Sequence, residues 1–227
     1  MTRIVYKTKD YIVVFKPAGT PSQSDKSGDS DAMTQAQDLL KAEGERDELY
    51  LIHRLDRVVG GLLVFARNKK YAALLSSLAS EHNFTKEYLA VVEGELSDGS
   101  FVDYIYKDAA LSKAFIAKKK RAGVKRAELD YRVLDCVEVK GRKISLVKVR
   151  LKTGRFHQIR VQFASRGASL LGDKKYGNKD FTSRFPALFA SRLAFETRGN
   201  KTDLSILPDL DSYPWSLFSK EKYEEKQ

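Results

Sequence analysis

Cysteine occurs once, at Cys136, and histidine three times in the 227 residues. One thiol excludes an internal disulfide framework. So few sulfur and imidazole ligands also exclude a cysteine-rich structural zinc site, and no metal or other cofactor is expected. Proline and glycine are sparse, with 5 and 14 residues, far below the content of disordered or collagen-like chains. No apolar run exceeds five residues, so a membrane-spanning helix is not expected. The opening stretch MTRIVYKTKD has no apolar h-region, so no secretory signal is expected and the protein reads as cytoplasmic. Acidic residues are outnumbered, 30 Asp and Glu against 41 Lys and Arg, for a net charge of +11. Such an excess favours a polyanionic partner.

What is present fits a globular domain. Apolar residues make up 42% of the chain, enough for a sizeable core, and the length suits one domain over residues 1–227. The sequence has no heptad pattern, and a monomer is the default. Tyr11–Phe15 reads as a strand that stops at Lys16-Pro17-Ala18-Gly19. Ser22–Asp31 is polar and rich in Gly, Ser and Asp, which predicts a mobile loop. Met33–Ala42 reads as a helix ending near Gly44. Leu49–Ile52 and Leu62–Ala66 read as buried strands flanking His53-Arg54-Leu55-Asp56-Arg57 and Gly60-Gly61. Asn68 is the expected N-cap of a helix over Lys69–Ser80. Tyr88–Val92 is the next strand, and Tyr131–Val139 with Lys143–Lys152 reads as a hairpin around Lys140-Gly141. In its second strand Val147, Val149 and Leu151 share one face, and Lys148, Arg150 and Lys152 the other. Phe156, Ile159 and Phe163 recur at helical spacing, with His157, Gln158 and Arg160 on the opposite side and Gly167 as the stop. Ala187–Ala194 reads as weakly helical, Leu204–Leu207 as a last strand and Lys220–Gln227 as a fraying end.

Three features could carry chemistry. Asp56 sits between Arg54 and Arg57, whose guanidinium groups favour an ionised carboxylate able to act as nucleophile or general base. On spacing alone, a structural ion pair is the commoner explanation. Arg155 and Arg160 flank His157 at a helix start, a pattern that suits an anion or equally a solvated helix face. Between Asp108 and Glu128 there is no acid and there are seven cations: Lys113, Lys118, Lys119, Lys120, Arg121, Lys125 and Arg126. Tyr88, Phe156 and Tyr176 lie among basic residues, as unstacked bases require, although aromatics at strand spacing are more often core. His53 and His157 are too few for metal ligation.

Read together, these segments resemble the RluA family of RNA pseudouridine synthases. Lys16-Pro17-Ala18-Gly19 is similar to its first motif. His53-Arg54-Leu55-Asp56-Arg57 with Gly61-Leu62-Leu63-Val64-Phe65-Ala66 is similar to its catalytic motif. Lys86-Glu87-Tyr88-Leu89-Ala90 resembles the tyrosine-bearing strand, and Thr153-Gly154-Arg155-Phe156-His157-Gln158-Ile159-Arg160-Val161 the arginine motif. Leu171-Gly172-Asp173 with Tyr176-Gly177 completes the order. Val59-Gly60 departs from the usual Thr-Ser, Gln162 from the usual histidine, and Leu188-Phe189-Ala190 from Leu-His-Ala.

The resemblance implies an α+β fold with a central, mostly antiparallel sheet, flanking helices and an RNA-binding cleft, without the S4-like domain many relatives carry. It implies isomerisation of uridine to pseudouridine in ribosomal or transfer RNA. Asp56 is then the catalytic carboxylate, Arg160 its expected partner, and Tyr88 the ring that stacks on a flipped base. Arg54 fills the vacated place in the stack or holds the flipped backbone, for which guanidinium is suited. Lys16, His53, Arg57, Arg155, His157, Lys118, Lys119, Lys120 and Arg121 are the expected RNA contacts. Two other readings stay open. One is a non-catalytic RNA-binding or assembly factor on the same scaffold. The other is an aspartyl hydrolase or transferase, which would require a magnesium-binding acid cluster that the residues near Asp56 do not provide.

Overall fold

The computed structural model describes residues 1–25, 27–81, 83–119, 122–177, 183–197 and 199–223. In chain order the elements are β1 (Arg3–Lys7), β2 (Tyr11–Lys16), α1 (Ala32–Ala42), β3 (Tyr50–Leu51), β4 (Gly60–Ala66), α2 (Lys69–Ser80), β5 (Phe84–Glu93), β6 (Gly99–Asp108), β7 (Lys113–Ile116), β8 (Lys125–Val139), β9 (Arg142–Leu151), α3 (Gln158–Ala164), β10 (Leu188–Thr197) and β11 (Asn200–Ser205). Two short 3-10 turns follow, Trp215–Leu217 and Lys220–Lys222. The chain forms two compact units, Met1–Lys86 with Ala190–Ile206 and Glu87–Phe189 with Leu207–Gln227, so that the division falls inside β5 and β10.

In the first unit the strand order is β1-β2-β4-β10, with β11 on β10 and β3 on β4. β2 runs antiparallel to β4 from Tyr11↔Ala66 to Lys16↔Gly61. β4 is buried along its whole length, which is why it reads as a continuous apolar run and not as an alternation. Gly61 is required there. Its φ is +125°, and a Cβ would fall 2.3 Å from the Ala190 carbonyl oxygen. α2 begins at Asn68, whose side chain accepts from Tyr71 N–H, and it sets Leu75 into a core with Tyr11, Val13, Leu62, Val64, Phe84, Leu193 and Phe195. The Phe84 and Phe195 rings stack at 4.6 Å.

Residues 187–194, expected to be weakly helical, lie mostly in strand β10. Arg192 to Thr197 pair with β11, and the segment is buried nearly throughout. A short apolar run carries no periodicity that distinguishes a buried strand from a helix, and its neighbours decide.

In the second unit the order is β5-β9-β8-β6-β7, antiparallel at every pairing. β6 and β7 fall in a stretch to which no element was assigned from sequence. The β8–β9 hairpin turns at Lys140 and Gly141, both at positive φ, as a tight hairpin turn requires. α3 packs on β6 and β7, with Val161 against Ile105, Ala114 and Ala127. Phe163 sits 5.0 Å from Phe101 and 5.2 Å from Tyr131.

Candidate active site

In the first unit, the loop carrying Asp56 is fixed from three directions. Ser22 Oγ donates to Leu55 O (2.9 Å) and accepts from Leu55 N–H (3.1 Å). Gly19 N–H donates to Arg57 O (2.8 Å). Lys16 Nζ donates to Thr20 O (2.7 Å), Pro17 O (3.1 Å) and Arg57 O (3.3 Å). The backbone on both sides of Asp56 is therefore held while its half-buried carboxylate stays on the loop. The stretch 22–31, expected to be mobile, supplies one of these anchors, Ser22. Asp31 caps α1 through Met33 and Thr34 N–H, while Ser27 and Asp29 bond the Arg57 guanidinium. Arg57 Nε also donates to Gly19 O.

Two expected RNA contacts in this unit have other work. Lys16 is fully buried, so its ammonium cannot reach an external phosphate. It ties the Lys-Pro turn to the catalytic loop instead. Burial lowers its pKa to about 7, opposed by the nearby Asp56 carboxylate. His53 is likewise drawn inward. Its Nε2 accepts from Val64 N–H (3.4 Å) and its ring lies 6.0 Å from Phe84. Burial, with help from the Lys86 charge, pushes its pKa down to about 3, so it is neutral and structural. Arg54 is exposed, and no hydrogen-bond or ion-pair partner is seen for it among the described residues.

In the second unit the arginine motif is built on Gln158. Its Oε1 accepts from Thr153 Oγ1 (2.8 Å) and Arg155 N–H (2.9 Å), and its Nε2 donates to Glu128 O (3.1 Å). Arg155 Nε reaches Arg126 O (2.8 Å). The side of α3 expected to be polar and open is buried: His157, Gln158 and Arg160 are all under 10% exposed. Arg160 makes a bidentate pair with Asp173, Nε to Oδ2 at 2.7 Å and Nη2 to Oδ1 at 2.8 Å. Asp173 also accepts from the N–H groups of Lys175 and Tyr176. His157 enters the helix in the left-handed region (φ 53°). Its Nδ1 lies 2.8 Å from Tyr176 Oη, which in turn accepts from Ala114 N–H (2.6 Å). Burial first, then Arg160, Lys175 and Lys107, push its pKa down to about 3. His157 thus braces Tyr176 at the start of α3. Tyr88 sits in β5 opposite Val149 and is 7% exposed.

Lys118 and Lys119 are exposed beyond β7; Lys120 and Arg121 lie outside the described residues. Sequence reasoning gave no role to Ser22 or Asp173, and placed Tyr176 only among the rings that could meet an unstacked base. The order Gly172-Asp173 with Tyr176-Gly177 was the available signal for the last two. Among the described residues no group of three or more His, Cys, Asp or Glu could hold a metal ion, and no helix is long and apolar enough to cross a membrane.

Comparison with known proteins places this geometry in context. The sequence profile of a family described as RNA pseudouridylate synthase matches residues 10–165. A tRNA pseudouridine synthase C of Haemophilus ducreyi is 33% identical over 185 residues, covering 77% of this chain and 74% of that protein. A ribosomal large subunit pseudouridine synthase D of Zymomonas mobilis is 32% identical over 184 residues, covering 77% of this chain and 55% of that protein. Among solved structures, human RNA pseudouridylate synthase domain containing 1 superposes with a TM-score of 0.77 at 23% identity, over 95% of this chain and 86% of that one.

Proposed function

The chain belongs to the RNA pseudouridylate synthase family, and from that membership we propose that it converts particular uridines of transfer or ribosomal RNA into pseudouridine. In this reading residues 1–227 work as one catalytic domain, since the profile match over 10–165 runs across both units. The reaction is an isomerisation. The N1–C1′ bond breaks, a C5–C1′ bond forms, C5 gives up its proton and N1 gains one, with no net oxidation. Transfer and ribosomal RNA substrates fit the expected cytoplasmic location.

The observation that carries the reading is the clamped loop around Asp56. A carboxylate acting at C1′, whether as nucleophile or as base for a sugar proton, must be ionised and held in place before substrate arrives. Backbone bonds from Ser22, Gly19 and Lys16 to Leu55 and Arg57 supply that fixity. We assign catalysis to Asp56, Tyr88 and Arg160. Tyr88 acts by stacking, because a neutral phenol is a poor base near neutral pH. Arg54, exposed beside Asp56, suits the place left by a flipped base, whose extrusion costs a few kcal/mol. Lys118, Lys119 and Arg155 remain as phosphate contacts, with Lys120 and Arg121 beside them in sequence.

The test is tritium release from cellular RNA labelled at uridine C5. C5 loses its hydrogen only when a carbon–carbon bond forms there. Wild-type protein is expected to release tritium, and folded Asp56→Asn protein to release none. Equal release from both would remove Asp56 from the mechanism; release from neither, across transfer and ribosomal RNA, would overturn the activity.

A further inference from the structure

The β6–β7–β8 sheet of the second unit has two faces of different character. Phe101, Asp103, Ile105 and Lys107 of β6 all meet the α3 side: Phe101 touches Phe163, Asp103 accepts from Gln162 and Arg166, Ile105 packs with Val161, and Lys107 lies 4.5 Å over Phe156. The period of two then turns Val102, Tyr104 and Tyr106 to the other face. In β7, Ala114 and Ile116 join the α3-side core, which leaves Phe115 outward. Tyr106 and Phe115 are register partners, and their rings stack at 5.4 Å and 22°. Arg126 is the register partner of Tyr104. Val102 is 50% exposed, the Arg126 side chain 54%, and Tyr104, Tyr106 and Phe115 are each partly exposed. The solvent face of an antiparallel sheet is ordinarily polar, so three partly open rings there need a reason.

The charge around them supplies one. No acid occurs between Asp108 and Glu128, and of the cations in that run Arg126 pairs with Tyr104 on this face, Lys113 lies 5.7 Å over the Phe115 ring, and Lys118 and Lys119 are exposed beyond β7. The acid that ends this run, Glu128, is itself held between Arg126 and Lys152. Aromatic rings that take base faces, edged by cations that follow the backbone, are the elements of a single-strand platform.

We infer that the outward face of β6–β7–β8, through Tyr104, Tyr106, Phe115 and Arg126, binds an unpaired stretch of RNA. The inference rests on RNA being the substrate. The chosen stretch flanks the target and is held by stacking, with little regard to its sequence.

The test is fluorescence anisotropy with a labelled single-stranded oligouridine about twenty nucleotides long, against wild type, Tyr104→Ser, Tyr104→Trp and Arg126→Gln, each checked by thermal melting. Tyr104→Ser should weaken binding about tenfold, the scale of one lost base–aromatic stack, while Tyr104→Trp keeps it. Arg126→Gln should weaken binding and flatten its salt dependence. A duplex of the same length, with its bases already stacked, should bind without regard to Tyr104. Unchanged affinity for oligouridine in Tyr104→Ser, or equal loss in Tyr104→Trp, would overturn the proposal. So would a wild-type dimer that Tyr104→Ser turns into a monomer with oligouridine affinity intact, since the face would then belong to a second copy. Tritium release separates the two readings. Tyr104-dependent binding without release by wild type would sink the synthase activity and leave the platform. Release with Tyr104-independent binding would do the reverse.

Discussion

Replacing Lys16 by methionine should abolish a specific pH dependence of stability. Methionine matches the stem and removes the ammonium. In the native protein Lys16 is fully buried and its pKa falls from 10.5 to about 7, chiefly through desolvation. At about 1.4 kcal/mol per pH unit, that drop corresponds to about 5 kcal/mol in total. The sign follows from proton counting. Between pH 7 and 10.5 the unfolded chain holds the Lys16 proton and the folded chain has largely lost it. The unfolded state therefore binds more protons there, and wild-type stability gains from Lys16 as pH rises through that window. Integrated from pH 7 to pH 9, the gain is about 2 kcal/mol. Other groups titrate alike in both proteins, so the difference between wild type and Lys16→Met isolates this one. Urea unfolding followed by far-ultraviolet circular dichroism at pH 7, 8 and 9 reads it directly. The carbonyls of Pro17, Thr20 and Arg57 lose a donor in the variant, which adds a pH-independent cost of about 1–3 kcal/mol for each one left without water. A stability difference that stays flat from pH 7 to 9 would refute the argument that burial lowers the Lys16 pKa in the folded protein.

Other outcomes follow from the same geometry. Gly61→Ala places a Cβ 2.3 Å from the Ala190 carbonyl at a φ of +125°, and should destabilise by about 3 kcal/mol or more, read as a lowered urea midpoint. Asp173→Asn removes the charge from the carboxylate that takes two bonds from the buried Arg160 guanidinium, and should cost about 1–3 kcal/mol; an unchanged urea midpoint would mean that the pair contributes nothing to stability. His53, neutral with a pKa of about 3, should show no imidazole titration by NMR between pH 5 and 8. Because its folded pKa lies below its ordinary 6.5, the unfolded chain takes up the proton first and stability falls as pH drops below that value. His53→Phe should lessen this acid sensitivity.

How much of this was legible beforehand depends on the range of the interaction. The helix over Lys69–Ser80 is the plainest case. Asn68 caps it and Leu75 is its buried residue, both set by neighbours within a few positions. The strand carrying Val147 and Val149 and the turn at Lys140-Gly141 are local too. Strands β6 and β7 were not legible. Their outward residues Val102, Tyr104 and Tyr106 are apolar or aromatic, so the alternation that marks a half-buried strand is blurred on one side. Residues 187–194 failed for a related reason, since a run buried on both faces has no period to read.

The site divides in the same way. Residue order identified the loop around Asp56 and the segment around Arg160 as chemistry-bearing, because those motifs are contiguous. What holds them was out of reach, because Ser22 lies 33 positions from Leu55 and Asp173 lies 13 from Arg160. Lys16 and His157 are cationic types in basic motifs, and the family resemblance groups them with Lys118 and Lys119 as RNA contacts. Burial separates them, since a lysine whose ammonium meets three carbonyls or an imidazole set against a phenol is committed to the fold. Three backbone carbonyls enclose the Lys16 ammonium, whereas Lys118 and Lys119 are exposed beyond β7. Removing charge at Lys118 and Lys119 should therefore lower RNA affinity and its salt slope with little change in melting temperature. Removing it at Lys16 should alter stability first.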